Sequence, residues 1–147
     1  MTGWRVGWCV LPEDLIRPLE CLAQNFFISP PTLSQHAALA SFDCTNELDE
    51  NVEKYAVNRK ILLDQLPRAG FNDLSSAEGA FYIYANVESI TSSSSELCKK
   101  MLEEIGVAAT PGIDFDQSRG QSYVRFSYSE STEKIAEAAR RLVAWKK

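Results

Sequence analysis

No apolar run in this sequence approaches the roughly 18–20 residues that a membrane-spanning helix needs, so no span is expected. Histidine is nearly absent, with His36 alone, and the four cysteines (Cys9, Cys21, Cys44 and Cys98) contain no C-x-x-C pair. The spacing of a zinc site is therefore missing. The 15 basic residues are scattered, apart from pairs such as Lys99-Lys100, Arg140-Arg141 and Lys146-Lys147. A nucleic-acid face needs a basic stripe, so no nucleic-acid partner is expected. The opening Met1-Thr2-Gly3-Trp4-Arg5 has no basic region leading into a long apolar one, so no signal peptide is expected.

What is present is ordinary for a globular chain. The 147 residues are 45% apolar and 24% charged, with a net charge of −5. That length is enough for one domain with its own core, and the composition excludes the disordered and fibrous classes. Cys9 lies in an apolar, strand-like run, and Cys21 and Cys98 lie on helical apolar faces. We read them as reduced core thiols and expect a cytoplasmic protein. His36 follows a capping box on a small-residue helix and reads as a structural or surface residue.

The pattern of elements falls into two parts. Trp4 to Leu11 (W-R-V-G-W-C-V-L) is apolar on both faces apart from Arg5, which predicts a strand from the middle of a covered sheet. Pro12-Glu13-Asp14 opens a helix carrying Leu15, Ile16, Leu19, Leu22, Ala23 and Phe26, with Pro18 expected to kink it or delay its start. Thr32-Leu33-Ser34-Gln35 is a capping box for a second helix to about Phe42. Asn46 can cap a long third helix that ends at Pro67-Arg68-Ala69-Gly70. Beyond it, Ala80–Ala85, Val107–Thr110 and Ser122–Tyr128 read as strands. Ser93-x-x-Glu96 caps a helix that closes at Gly106, and Ser131 or Thr132 caps the last one. The natural division lies near residue 46. Before it is a strand with two helices; after it, a long helix, three strands and two helices can close an α+β unit.

Two arginines carry the chemistry. Alternation in Tyr123-Val124-Arg125-Phe126-Ser127-Tyr128 sets Val124, Phe126 and Tyr128 on one face and Tyr123, Arg125 and Ser127 on the other. A guanidinium flanked by a tyrosine and a serine suits a planar carboxylate, and equally an exposed or ion-paired strand arginine. Arg5, in an otherwise apolar run, needs an anion if buried, either a phosphate or a neighbouring carboxylate. Lys54, Lys60, Lys99, Lys100, Lys134, Lys146 and Lys147 lie among mostly polar helical neighbours and read as solvated.

Gly3-Trp4-Arg5-Val6-Gly7-Trp8 resembles the G-W-R-x-G-[YW] segment of class I/II aminotransferases, the fold-type I pyridoxal-phosphate enzymes. Gly79-Ala80-Phe81-Tyr82 is similar to that family's G-[AG]-x-[FY] strand entry. Gly106-Val107-Ala108-Ala109-Thr110-Pro111-Gly112-x-x-Phe115 resembles its G-V-x-x-x-P-G-x-x-F loop, which precedes a strand arginine. The order of the motifs and the helices between them extend the resemblance over essentially the whole chain. It implies an α/β fold: residues 1–45 as the end of a large cofactor-binding domain, and residues 46–147 as an α+β small C-terminal domain. It further implies pyridoxal 5′-phosphate as cofactor with its phosphate on Arg5, and the substrate α-carboxylate on Arg125. Small-molecule amino acid and 2-oxo acid partners and a homodimer or other oligomer are also implied. The Ser29-Pro30-Pro31-Thr32 loop matches a family region that reaches toward a neighbouring subunit's cofactor phosphate.

Two departures stand out. Asp116 occupies the place where the family usually has glycine, which bears on a loop turn more than on chemistry. The family's Schiff-base lysine, usually in S-K-x-x-x-M-x-G-W-R, corresponds to a position before Met1, so no catalytic residue is assigned in this chain. The chain alone is expected to be inactive. Alternative readings are the aminotransferase-like effector domain of a transcription regulator, or a truncated remnant without activity.

Overall fold

The computed structural model describes residue 1 and residues 3–145. The chain forms two compact units, Met1–Asp49 and Glu50–Lys147.

In the first unit, residues 3–11 form turns and irregular backbone in place of the expected strand. Trp8 is 73% exposed and Val10 94% exposed, so this run, apolar on both faces, has no neighbouring strand to satisfy it. Helix α1, Glu13–Phe26, begins directly after Pro12, and Pro18 does not delay its start. Helix α2, Thr32–Ala40, starts one residue earlier than a Thr32 cap requires. Pro31 holds the cap position, and Gln35 Nε2 donates to the Pro30 carbonyl at 2.8 Å, not to a capping-box partner. A 3₁₀ turn, Ser41–Asp43, follows. Helix α3, Thr45–Gln65, starts a residue before the expected Asn46 and crosses the division in sequence.

The second unit holds a four-stranded antiparallel sheet in the order β1-β2-β4-β3, formed by Asp73–Leu74, Tyr82–Asn86, Tyr123–Ser127 and Thr110–Pro111 respectively. The two-residue β1 has no periodicity to betray it, so the sequence reading has three strands where there are four. The expected strand at 107–110 shrinks to Thr110–Pro111, and Val107 is buried in the core cluster outside it. Helix α4, Ser94–Ile105, has the expected cap: Ser93 Oγ accepts from the Glu96 N–H at 3.4 Å. It ends at Gly106, whose φ of +65 belongs to the left-handed region that glycine enters without penalty. In the last helix, α5, Thr132–Trp145, Ser131 Oγ accepts from Lys134 N–H at 3.4 Å.

One face of the sheet makes the core. Ile83 and Ala85 of β2 and Val124 and Phe126 of β4 are buried with Leu62 and Leu66 of α3, Leu97, Cys98 and Met101 of α4, and Ile135, Ala139 and Leu142 of α5. Phe71 meets Phe126 edge-on at 5.2 Å. Each large side chain fully buried here contributes about 1.5–3 kcal/mol of transfer free energy. Of the four cysteines, Cys98 alone is a core thiol; Cys9, Cys21 and Cys44 lie in the first unit, which buries almost nothing, and are exposed. The opposite face of the sheet carries Tyr82, Tyr84, Tyr123 and Arg125, all half-buried.

Candidate functional site

Arg125 lies in the middle of β4, which is flanked by β2 on one side and β3 on the other. Antiparallel register places Arg125 opposite Tyr84 of β2 and opposite Thr110 of β3. Because side chains alternate along a strand, burying Val124 and Phe126 in the core sends Arg125 to the other face. Its Nη2 donates to Thr110 Oγ1 at 3.3 Å. Its Cζ lies 4.3 Å from the centre of the Tyr82 ring and 4.4 Å from that of Phe115. Arg125 Nε is buried without a hydrogen-bond acceptor, and among the described residues no carboxylate pairs with this guanidinium.

The surroundings are built from close backbone approaches. Gly112 and Gly120 touch so tightly that a Cβ on Gly120 would sit 2.4 Å from Gly112 backbone atoms. Ser94, fully buried at the start of α4, donates Oγ–H to the Gly120 carbonyl at 2.9 Å. The Tyr84 hydroxyl fills the space a Cβ on Gly112 would take, and the Tyr84 ring stacks on Tyr123 at 4.8 Å. Burial, then the nearby Asp116 charge, raises the Tyr84 phenol above its ordinary pKa, so it is a neutral donor at pH 7.

Asp116 organises the loop after Phe115. Its Oδ1 accepts from the Ser118 N–H and Oγ–H, both at 2.9 Å, and from the Arg119 N–H at 3.1 Å, and its Oδ2 accepts from Arg119 Nε at 3.0 Å. These four donors, the Arg119 backbone N–H foremost, hold the carboxyl well below the usual carboxylate range. The residue that replaces the expected glycine thus closes its turn with a side chain instead of with backbone freedom.

Arg5 lies in the first unit, on a turn in which Trp4 N–H donates to the Met1 carbonyl at 3.1 Å. It is exposed, with a φ of +57, a conformation few non-glycine residues adopt. His36 and the described helical lysines Lys54, Lys60, Lys99, Lys100 and Lys134 are exposed; Lys146 and Lys147 lie outside the described residues. Among the described residues no group of three or more His, Cys, Asp or Glu is placed to hold a metal, and no helix is long and apolar enough to cross a membrane.

Sequence reasoning placed Arg125, Thr110 and Phe115 within motifs but did not bring them together. It missed Tyr82 as a neighbour of Arg125, and it missed Ser94 and Gly120 as supports of the loop. Alternation gives the face of each strand, whereas the contact between Tyr82 and Arg125 depends on the β2–β4 register, which no local pattern encodes.

The model of the family described as aminotransferase class I and II matches residues 1–142. The chain is 49% identical over 147 residues to a valine–pyruvate aminotransferase of Mycobacterium tuberculosis, covering 99% of this chain and 38% of that protein. It is 37% identical over 144 residues to a (5-formylfuran-3-yl)methyl phosphate transaminase of Methanocaldococcus jannaschii, covering 97% of this chain and 38% of that protein. The crystal structure of an aminotransferase from Mycobacterium tuberculosis superposes with a TM-score of 0.85 at 49% identity, over 99% of this chain and 38% of that one. The chain therefore spans less than two fifths of the length of these relatives. With a family match over nearly its entire length, this chain belongs to the class I and II aminotransferases.

Proposed function

We propose that the chain is the C-terminal part of a pyridoxal-phosphate-dependent aminotransferase that moves an amino group between an α-amino acid and a 2-oxo acid. Residues 1–45 then belong to the large cofactor-binding domain and residues 46–147 to the small one. The observation that carries this reading is the guanidinium of Arg125, half-buried and, among the described residues, without a carboxylate partner. A cation in such a place calls for an anion, and the two-pronged fork of arginine matches a substrate α-carboxylate.

Arg125 binds and orients the carboxylate that every α-amino acid and 2-oxo acid shares. Tyr82 and Phe115 keep water from the flanks of its guanidinium, and Thr110 holds Nη2. Arg5 takes the cofactor phosphate, its exposure and its turn being the features that suit it. The cofactor, when bound, supplies the electron sink for the chemistry. The residue that would carry it is a lysine, and none of this chain's lysines stands at the matching position of the motif, so the 147 residues alone are inactive. A homodimer or higher oligomer, and a cytoplasmic location, complete the reading; the four free cysteines are in keeping with a reducing compartment.

The test is Arg125→Lys in the full-length protein. Lysine keeps the charge and loses the fork. Loss of a charge-assisted pair worth about 1.5–3 kcal/mol lowers kcat/KM about ten- to hundredfold for every amino acid tried, with cofactor affinity little changed. A variant that melts while its folded fraction keeps full activity would make Arg125 a structural residue.

A further inference from the structure

We infer that Tyr82 and Phe115 are positioning residues for Arg125, and that together with Thr110 they fix its guanidinium so that the Nη end alone is offered to a carboxylate; this rests on the carboxylate-binding reading of Arg125. The two rings belong to chain segments that lie on either side of β4 in the sheet order, one on a strand and one in a turn. Tyr82 belongs to β2, diagonal to Arg125 through the pair Tyr82–Ser127, and Phe115 follows the turn that leaves β3. Their centres lie 4.3 and 4.4 Å from Cζ. At that range each ring's electron-rich face attracts the delocalised cation, and a planar guanidinium lies flat against such a surface where an ammonium does not.

Among the described residues the one polar tie of the Arg125 guanidinium is the hydrogen bond to Thr110 at 3.3 Å, and Nε is enclosed without an acceptor. An arginine otherwise keeps most of its rotamer freedom and loses it on binding. With its flanks against the rings and Nη2 on Thr110, the Arg125 fork is ordered before a ligand arrives. Two-pronged recognition tolerates little error in plane or angle, so this order is worth affinity in itself. Tyr82 acts here through its ring, which is the part of the side chain that lies against the cation.

The test uses the 147-residue chain, with sodium acetate as probe and the arginine side-chain signals read by 15N NMR. In the wild type the Arg125 Nε–H signal is displaced by the ring currents, and Arg125 signals move as acetate is added. Tyr82→Leu and Phe115→Leu each remove part of the ring-current displacement and weaken acetate binding at Arg125 about three- to tenfold. Tyr82→Phe keeps acetate binding within about twofold, because the ring remains. Backbone signals of Val124 and Phe126 report an intact sheet. Should Tyr82→Leu fail to fold, Phe115→Leu decides, since Phe115 is 54% exposed and lies outside the core. Wild-type acetate affinity in the folded leucine variants overturns the positioning role and leaves the carboxylate reading standing. Arg125→Lys with undiminished acetate binding, or a wild type whose Arg125 signals ignore acetate, overturns the carboxylate reading itself.

Discussion

Helices α1 and α5 have the same length, 14 residues, and both concentrate their apolar side chains on one side, yet they have opposite fates. In α5, Ile135, Ala139 and Leu142 are buried; in α1 no residue is. The contrast extends to the units that contain them. Among the described residues of Met1–Asp49 the buried ones are Ser34 and Ala38, whereas Glu50–Lys147 buries a continuous cluster running from Leu62 to Leu142. An amphipathic pattern therefore states what a helix needs and not whether the need is met. The second unit supplies a sheet for its helices to cover. Among its described residues the first has no strand, and Trp8, Leu15, Leu22 and Phe26 stay in solvent.

The contrast predicts unequal costs for equal deletions. Leu66 is fully buried and Leu22 is 53% exposed. Leu66→Ala should destabilise the chain by about 2–5 kcal/mol, the transfer and cavity cost of a core leucine. Leu22→Ala, on the same chemistry, should change stability by less than about 0.5 kcal/mol. Urea unfolding followed by tryptophan fluorescence and circular dichroism measures both. Equal costs would mean that α1 is packed in solution.

Glycine sharpens the same comparison through steric fit. A Cβ on Gly120 meets Gly112 and Ile113 backbone atoms at 2.4 Å, and backbone cannot swing aside as a flexible side chain can. Gly120→Ala should cost about 3 kcal/mol, at the upper end of overpacking penalties. A Cβ on Gly7, in the first unit, meets nothing within 4 Å. Gly7→Ala should be close to neutral by the same unfolding measurement, and a large loss there would show that the 3–11 segment is tightly held.

The cysteines divide in the same way. Burial, and then the charge of Asp114, pushes the Cys98 thiol from an ordinary 9.0 to about 11, while Cys9, Cys21 and Cys44 are exposed. Because the folded pKa is raised, the native state keeps the proton after the unfolded chain has released its own. Stability is then full below pH 9.0 and falls as pH climbs through about 11. Two pKa units correspond to roughly 2–3 kcal/mol lost across that window. Cys98→Ala should flatten the alkaline slope, measured as the urea midpoint against pH. Maleimide should label the three exposed thiols well before Cys98.

What the sequence disclosed, and what it withheld, follows the range of the interaction involved. Helix ends set by neighbours three or four residues apart were legible, as at Ser93, Gly106 and Ser131. So were the buried faces of β2 and β4, since alternation is local. The 4–11 strand failed because a strand depends on partners, and an apolar run is only a request for them. Asn58 escaped notice for a related reason. It lies fully buried within α3, donating to the Tyr128 and Glu130 carbonyls at 3.0 and 2.8 Å, across a separation of 70 and 72 residues. From its helical neighbours it looks like one more polar surface position. At the site, motif residues such as Arg125 and Phe115 were visible one by one, but the ring of Tyr82 beside Arg125 exists only once β2 and β4 are in register.

The smallest expected effect isolates the origin of the contrast. Both units carry surface ion pairs one helical turn long: Arg17 with Glu20 at 3.1 Å in α1, and Glu137 with Arg140 and Arg141 at 2.7 and 2.8 Å in α5. Hydrogen bonds from Arg140 and then Arg141 draw the Glu137 carboxyl down to about 2, so whatever this pairing contributes is present above the ordinary carboxylate range and is lost as pH falls through about 2. All three α5 side chains are well exposed, however, and exposed pairs are screened by water and salt. Glu20→Gln and Glu137→Gln should therefore both leave the urea midpoint within experimental scatter, more so at high salt. Arg141→Ala should be distinguishable from them. Its Nη1 also donates to the Ile105 carbonyl at 3.2 Å, at the C-terminal end of α4, where a cation satisfies an unpaired carbonyl and complements the helix dipole. A loss of about 0.5 kcal/mol is expected, the scale of one net hydrogen bond. If Glu137→Gln proved as damaging as Leu66→Ala, surface charge and not the buried sheet face would be what separates the second unit from the first.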